Sequence, residues 1–251
     1  MSLRSGVPPA PPTPLPRRSI VEEILVVLSL SLLASAVYAI ISALEQPIRG
    51  VTAFSVNQTT VLARQFAGIV FGVAPAWLVV YLVRRSGEGL ASIGLSLDQP
   101  RRDLTLGAVL FAVVGLCGIG VYLAAVELGV NRFVVPVPPL GHWWTVPVLL
   151  LRAAEAALVE EIIVVAFLVT RLQQLRVRPA AAVGASALLR GTYHLYQGFG
   201  GFAGNFAMGL LFGAVFVRTR RAWPLVIAHF LLDVGAGVGY LLFREHLPGS
   251  S

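Results

Sequence analysis

Lysine is absent from this chain, and all 19 basic residues are arginine. That one-sided choice reads as a coding bias towards GC-rich codons and carries no functional signal. Cysteine occurs once, at Cys117, which excludes a disulfide framework and a metal site built on cysteines. Charge is scarce as well. Only 12% of residues are Asp, Glu, Lys or Arg, against about a quarter in a soluble domain. Hydrophobic residues make up 57% and the mean hydropathy is +0.81. A net charge of +7 would suit nucleic acid if the arginines formed a patch. They are scattered between apolar runs, so nucleic acid is not an expected partner. The composition predicts an all-α, polytopic transmembrane helical bundle whose first partner is the lipid bilayer.

Apolar stretches at about Ile24–Leu44, Leu62–Val83, Leu104–Val126, Val146–Val169, Pro179–Leu195, Phe202–Val217 and Trp223–Phe243 mostly approach the roughly 20 residues that cross the hydrocarbon. The fifth and sixth are shorter and carry glycine, which suits tilt or partial re-entry. Arginines in the tail and successive loops number 3, 1, 4, 1, 3, 0, 3 and 1. This alternation predicts seven spans, with the N-terminus in the cytoplasm and the C-terminus outside. The expected organisation is a disordered Pro-rich cytoplasmic tail over 1–18, N-terminal spans over 19–145, a functional core over 146–243 and a tail over 244–251.

Four details bear on this layout. The stretch Leu32–Ala36 is similar to a signal-peptide cleavage site, but the apolar run continues past it, so an uncleaved anchor is expected. Asn57-Gln58-Thr59 matches a glycosylation sequon on a weak three-residue pattern. Ser92–Asp103 is too polar to cross and is expected to lie at the cytoplasmic interface. Trp143, Trp144 and Trp223 fall at span boundaries and need only the aromatic-belt explanation.

Against this apolar background a few ionisable residues stand out, because each costs a few kcal/mol or more inside a bilayer and persists where it faces a polar interior. Arg152 and Glu155 are three apart and predict a structural ion pair. Glu160 and Glu161 follow on the same span, about 100° apart around the helix axis. One can face a reaction centre while the other braces a neighbour. Arg190 and His194 lie four apart on the fifth span. His229 and Asp233 lie one turn apart on the seventh, where the carboxylate can orient the imidazole. Gly200/Gly204 and Gly209/Gly213 have small-x-x-x-small spacing for close helix packing. Asn205, in the same stretch, is expected to bond a neighbouring helix or to support the site. Two carboxylates, a His and a His-x-x-x-Asp can activate water.

Taken in order, Glu160-Glu161, His194 and His229-x-x-x-Asp233 resemble the motifs of the CAAX protease and bacteriocin-processing family. These are intramembrane proteases related to the eukaryotic type II CAAX prenyl endopeptidase. The resemblance covers about Val146–Gly239 and extends to Gly209–Gly213, Arg218-Thr219 and Trp223-Pro224. Two positions depart from it. Val165 stands where the family carries Arg, and Arg190 stands where it carries Phe. We expect Arg190 to have taken over the missing cation's place, neutralising Glu161 across the helix interface.

The resemblance implies a multi-pass protein of a bacterial cell membrane that cleaves a peptide bond in a membrane-associated or lipidated chain. Two chemistries fit. In one, without cofactor, Glu160 deprotonates a water positioned by His194 while His229 and Asp233 hold the oxyanion. In the other, His194, His229 and a carboxylate hold Zn²⁺. The chain has no His-Glu-x-x-His helix, which favours the first. The alternatives to an enzyme are a non-catalytic scaffold or bacteriocin-immunity protein keeping the fold, and a small-solute transporter. No internal repeat supports the transporter. One tension accompanies every version. Counted from the cytoplasmic ends, His229, Glu160 and His194 differ in depth by up to roughly 13 Å at 1.5 Å per residue.

Overall fold

The computed structural model describes residues 15–32, 35, 36, 40, 58–129 and 140–243. Most of the Pro-rich tail, the latter part of the first span, Asn57 of the sequon and the C-terminal tail lie outside the described residues, as do parts of the Leu32–Ala36 stretch.

The chain is an all-α helical membrane bundle, and no β-strand occurs among the described residues. Helix α1 (Arg17–Ser29) is followed by α2 (Gln58–Arg85), a 3-10 turn (Leu90–Ile93) and α3 (Pro100–Glu127). Then comes one continuous rod made of α4 (Thr145–Glu160), a π-helical turn (Glu161–Phe167) and α5 (Leu168–Gln174). Helix α6 (Pro179–Tyr193), a 3-10 turn (Leu195–Gln197), α7 (Phe199–Thr219) and α8 (Trp223–Phe243) complete it.

Among the described residues, four stretches are long and apolar enough to cross a membrane: Val61–Arg85, Pro100–Gly120, Phe199–Thr219 and Trp223–Phe243. The α4–α5 rod is long too, but Arg152, Glu155, Glu160, Glu161 and Arg171 make it more charged than those four. With its 15 residues, α6 is about 22 Å long at 1.5 Å per residue, shorter than the hydrocarbon is thick. Phe71, Trp77 and Leu116 point outward, as a lipid-facing surface requires.

The rod forms the centre of the molecule. Every side chain from Glu161 to Val169 is buried, and Ile163, Val165 and Phe167 pack with Phe212, Phe216 and Leu225 in the main core. Val165, which replaces the motif arginine, is therefore a core residue. The β-branched run Ile162–Val165 fits a tight α turn poorly, and here the helix opens to π geometry. Ser186 of α6 donates to the Val164 carbonyl at 2.7 Å, which ties α6 to the widened turn.

Helix α7 lies against α6 at close range. A Cβ on Gly209 would come within 2.9 Å of the Ala187 Cα, and one on Gly213 within 2.8 Å of Val183 Cγ1, so this glycine pair packs as its spacing predicts. The predicted Arg152–Glu155 pair forms at 3.4 Å. Both side chains fill notches left by Gly68 and Gly72 on α2.

Several arginines that the loop count reads as topology markers also tie the loops together. Arg171 is fully buried and pairs with Glu23 at 3.0 Å and Glu88 at 2.7 Å. Arg220 donates to the Ser92 carbonyl and Gln173, while Arg221 binds Asp98 and Asp103. These contacts dock the Ser92–Asp103 segment onto the α7–α8 turn. Gly94 sits there at φ +78° and accepts from the Ala222 amide at 2.9 Å. The aromatic belt needs one correction. Trp143 is exposed, but Trp144 is buried and stacks on His142 at 4.7 Å, because it caps the rod and packs inward.

Candidate active site

The site lies where the π turn faces α6 and α8, and its organising group is Arg190. This guanidinium is fully buried, one turn before the C-terminal end of α6. Its Nη1 donates to Glu161 Oε1 at 2.7 Å, and its Nη2 lies 3.4 Å from Glu160 Oε2 and 3.1 Å from His229 Nδ1. The Phe212 ring of α7 covers it at 5.5 Å. One cation from α6 thus meets both carboxylates of the rod and a histidine of α8. The expected placement of Arg190 against Glu161 is what the structure shows.

The two glutamates differ. Glu161 opens the π turn and is wholly buried, with Oε1 shared between Arg190 and His229 Nδ1 at 2.8 Å. Glu160 keeps 12% of its side chain accessible. Its Oε2 accepts a hydrogen bond from the Tyr193 hydroxyl at 2.7 Å. Tyr193 is a contact that the motifs do not announce. Its one available signal is that it lies three residues after Arg190, on the same helix face.

His194 closes α6. Its Nδ1 lies 3.0 Å from the Arg190 carbonyl, and a carbonyl only accepts, so Nδ1 carries the proton. A neutral His194 then presents the lone pair of Nε2. The ring packs against Tyr193 with centroids 4.7 Å apart, which sets it beside the residue that holds Glu160.

His229 Nδ1 stands between a pure donor, Arg190, and a pure acceptor, Glu161, and can serve only one at a time. When Arg190 donates to it, the ring proton resides on Nε2. Asp233 Oδ2 lies 3.6 Å from Nε2, beyond hydrogen-bond range but close enough to favour a proton there. Asp233 is also the most open carboxylate of the cluster, with 40% of its side chain accessible.

The structure therefore joins Glu160, Glu161, Arg190, His229 and Asp233 through direct side-chain contacts and sets His194 on the Arg190 carbonyl beside Tyr193, despite their unequal sequence depths. Asn205 is not among them. Its amide donates to the Gly201 carbonyl of its own helix at 3.0 Å, neither to the site nor to a neighbouring helix.

Among the described residues no three His, Cys, Asp or Glu side chains converge as metal ligands. A permanent guanidinium charge occupies the space between Glu160, Glu161 and His229, where it would repel a dication.

Comparison with known proteins gives one finding. Residues 142–235 match the family model described as type II CAAX prenyl endopeptidase Rce1-like. No curated protein and no solved structure matches the chain. The matched residues span the rod, α6, α7 and the first half of α8, and hence every group in the cluster. The motifs, in order, agree with that match: residues 142–235 of this chain are similar to the type II CAAX prenyl endopeptidase Rce1-like family.

Proposed function

We propose that this protein hydrolyses a peptide bond in a membrane-associated or lipidated chain, using water activated by Glu160 and no metal. The observation that supports this most is the division of labour between the glutamates. Glu161 is wholly buried with its Oε1 on Arg190, whereas Glu160 has its Oε2 on Tyr193 and remains partly accessible. With Oε2 engaged by Tyr193, Oε1 is left to face water.

Glu160 Oε1 takes a proton from a water that also donates to the free Nε2 of His194. The resulting hydroxide attacks the carbonyl carbon, and the carbonyl oxygen becomes an oxyanion. His229 donates from Nε2 to that oxyanion, with Asp233 favouring the proton at that nitrogen. Collapse of the tetrahedral species breaks the C–N bond. Glu160 returns its proton to the leaving nitrogen, giving a carboxylate and an amine. Arg190 neutralises Glu161 and, by donating to Nδ1, keeps the His229 proton on Nε2. Water-activating groups buried in a bundle imply a substrate delivered through the bilayer or at its edge. We place the protein as a multi-pass component of a bacterial cell membrane, with seven spans and the N-terminus cytoplasmic.

The test is cleavage of a panel of lipidated peptides by the full chain in proteoliposomes, read by mass spectrometry. A new C-terminus that appears with wild type, is missing with Glu160→Gln and persists with a zinc chelator supports the reading. Loss of cleavage on chelation would move it to a metalloprotease. No cleavage of any peptide, with a cellular phenotype that Glu160→Gln leaves unchanged, would identify a scaffold instead.

A further inference from the structure

At the end of the molecule marked by the arginine-rich loops, away from the Glu160 cluster, α3 and α7 leave a hollow of about 550 Å³. It is lined by Arg101, Arg102, Thr105, Leu106, Val109 and Thr219. A second hollow of about 420 Å³ adjoins it and shares Arg101 and Arg102. The two arginines form the rim, and the apolar side chains form the wall below.

Neither arginine has a structural task that explains it. Arg101 is exposed and, among the described residues, has no hydrogen bond or ion pair from its side chain, while Arg102 reaches only Gln99 there, at 2.9 Å. The neighbouring carboxylates are committed elsewhere: Asp98 pairs with Arg221 at 2.8 Å, and Asp103 binds the same arginine. The Asp98 carboxyl is held well below the usual range, first by the Ser96 hydroxyl and then by Arg221. Neither rim arginine is in an ion pair among the described residues, and both stand at the N-terminal end of a 28-residue helix, whose dipole favours an anion.

We propose that this hollow binds one anionic phospholipid, with its phosphate on Arg101 and Arg102 and an acyl chain along Leu106 and Val109. The dimensions suit that ligand. Val109 lies eight residues beyond Arg101, about 12 Å down the helix axis, so the wall continues from the charged rim into the region where Pro100–Gly120 is apolar enough to cross the hydrocarbon. A free phosphate would use the rim and leave the wall empty. A zwitterionic lipid would cover the wall, but its own cation would oppose the two arginines. The site does not depend on the hydrolase reading.

The experiment is a binding titration of the purified full chain in neutral detergent, followed by thermal melting. The probes are dioleoyl phosphatidylglycerol, dioleoyl phosphatidylcholine and inorganic phosphate. Phosphatidylglycerol is expected to bind about thirtyfold more tightly than phosphatidylcholine, from roughly fivefold per arginine near a membrane surface. R101Q/R102Q should abolish that preference and melt normally without lipid. Val109→Asn should weaken both lipids and leave inorganic phosphate unchanged. Equal binding of the two lipids, a preference that survives in R101Q/R102Q, or inorganic phosphate matching phosphatidylglycerol would each overturn the proposal. So would failure of R101Q/R102Q to fold, since the arginines would then be structural.

Discussion

Arg190 shows how one side chain sets the terms for its neighbours. A buried carboxylate left without its cation is strongly destabilising, because the charge stays desolvated and unpaired. Glu161 is in that position, with Arg190 at 2.7 Å and no exposure. Arg190→Leu should therefore lower stability by about 3–5 kcal/mol, measured by thermal melting in detergent, with Arg190→Lys recovering part of the loss. Tyr193 acts on the reaction instead. Its hydroxyl fixes the Glu160 oxygen that does not meet water, so Tyr193→Phe should lower kcat by about tenfold, roughly one hydrogen bond, and leave KM and the melting temperature unchanged. Of these groups, the two glutamates, the two histidines and Asp233 are legible in the sequence because ionisable residues in apolar runs are conspicuous. Tyr193 is not, since a tyrosine near the end of a span is ordinary. Val165 and Arg190 could be seen as departures from a motif, but only the folded chain shows that the Arg190 guanidinium reaches Glu161 from the facing helix.

At the scale of elements, the π turn decides which groups can meet. It begins at Glu161 and is buried along its whole length, so the two glutamates straddle the junction between α and π geometry. No periodicity in the sequence marks such a turn, because a shift of one residue in the hydrogen-bond ladder leaves an all-apolar run looking the same. The approach of α6 and α7 was legible, since glycine at four-residue spacing has a direct steric meaning. Gly209→Ala should cost about 1–3 kcal/mol by forcing a Cβ towards the Ala187 backbone, and it should loosen the helix that carries Arg190. The docking of the Ser92–Asp103 segment makes a prediction in acid. Asp98 has a depressed pKa in the folded chain. Its contribution is therefore present above its unfolded value of about 4 and is lost as pH falls through the lower, folded value. Asp98→Asn should flatten the acid limb of the melting curve below about pH 4, relative to wild type, and change little near neutrality beyond a constant offset.

For the whole molecule, composition established the class and arginine spacing suggested the orientation, yet neither could show that the loop arginines also bind the helices together. Arg171 is counted as a topology marker and is also among the most buried side chains of the bundle. The same economy is visible in the rod, which is the most charged of the long helical stretches because it carries the site. Its glutamates meet Arg190 and Tyr193 of α6 and His229 of α8, an arrangement that span lengths read one by one did not foretell. The central claim is that two adjacent glutamates have separate tasks, chemistry for Glu160 and architecture for Glu161. The most direct measurement compares Glu160→Gln and Glu161→Gln for peptide cleavage and for thermal melting on the same preparations. The account predicts that Glu160→Gln melts like wild type and cleaves nothing, while Glu161→Gln melts at a clearly lower temperature. Cleavage by Glu160→Gln at the wild-type rate, or an unchanged melting temperature for Glu161→Gln, would contradict it.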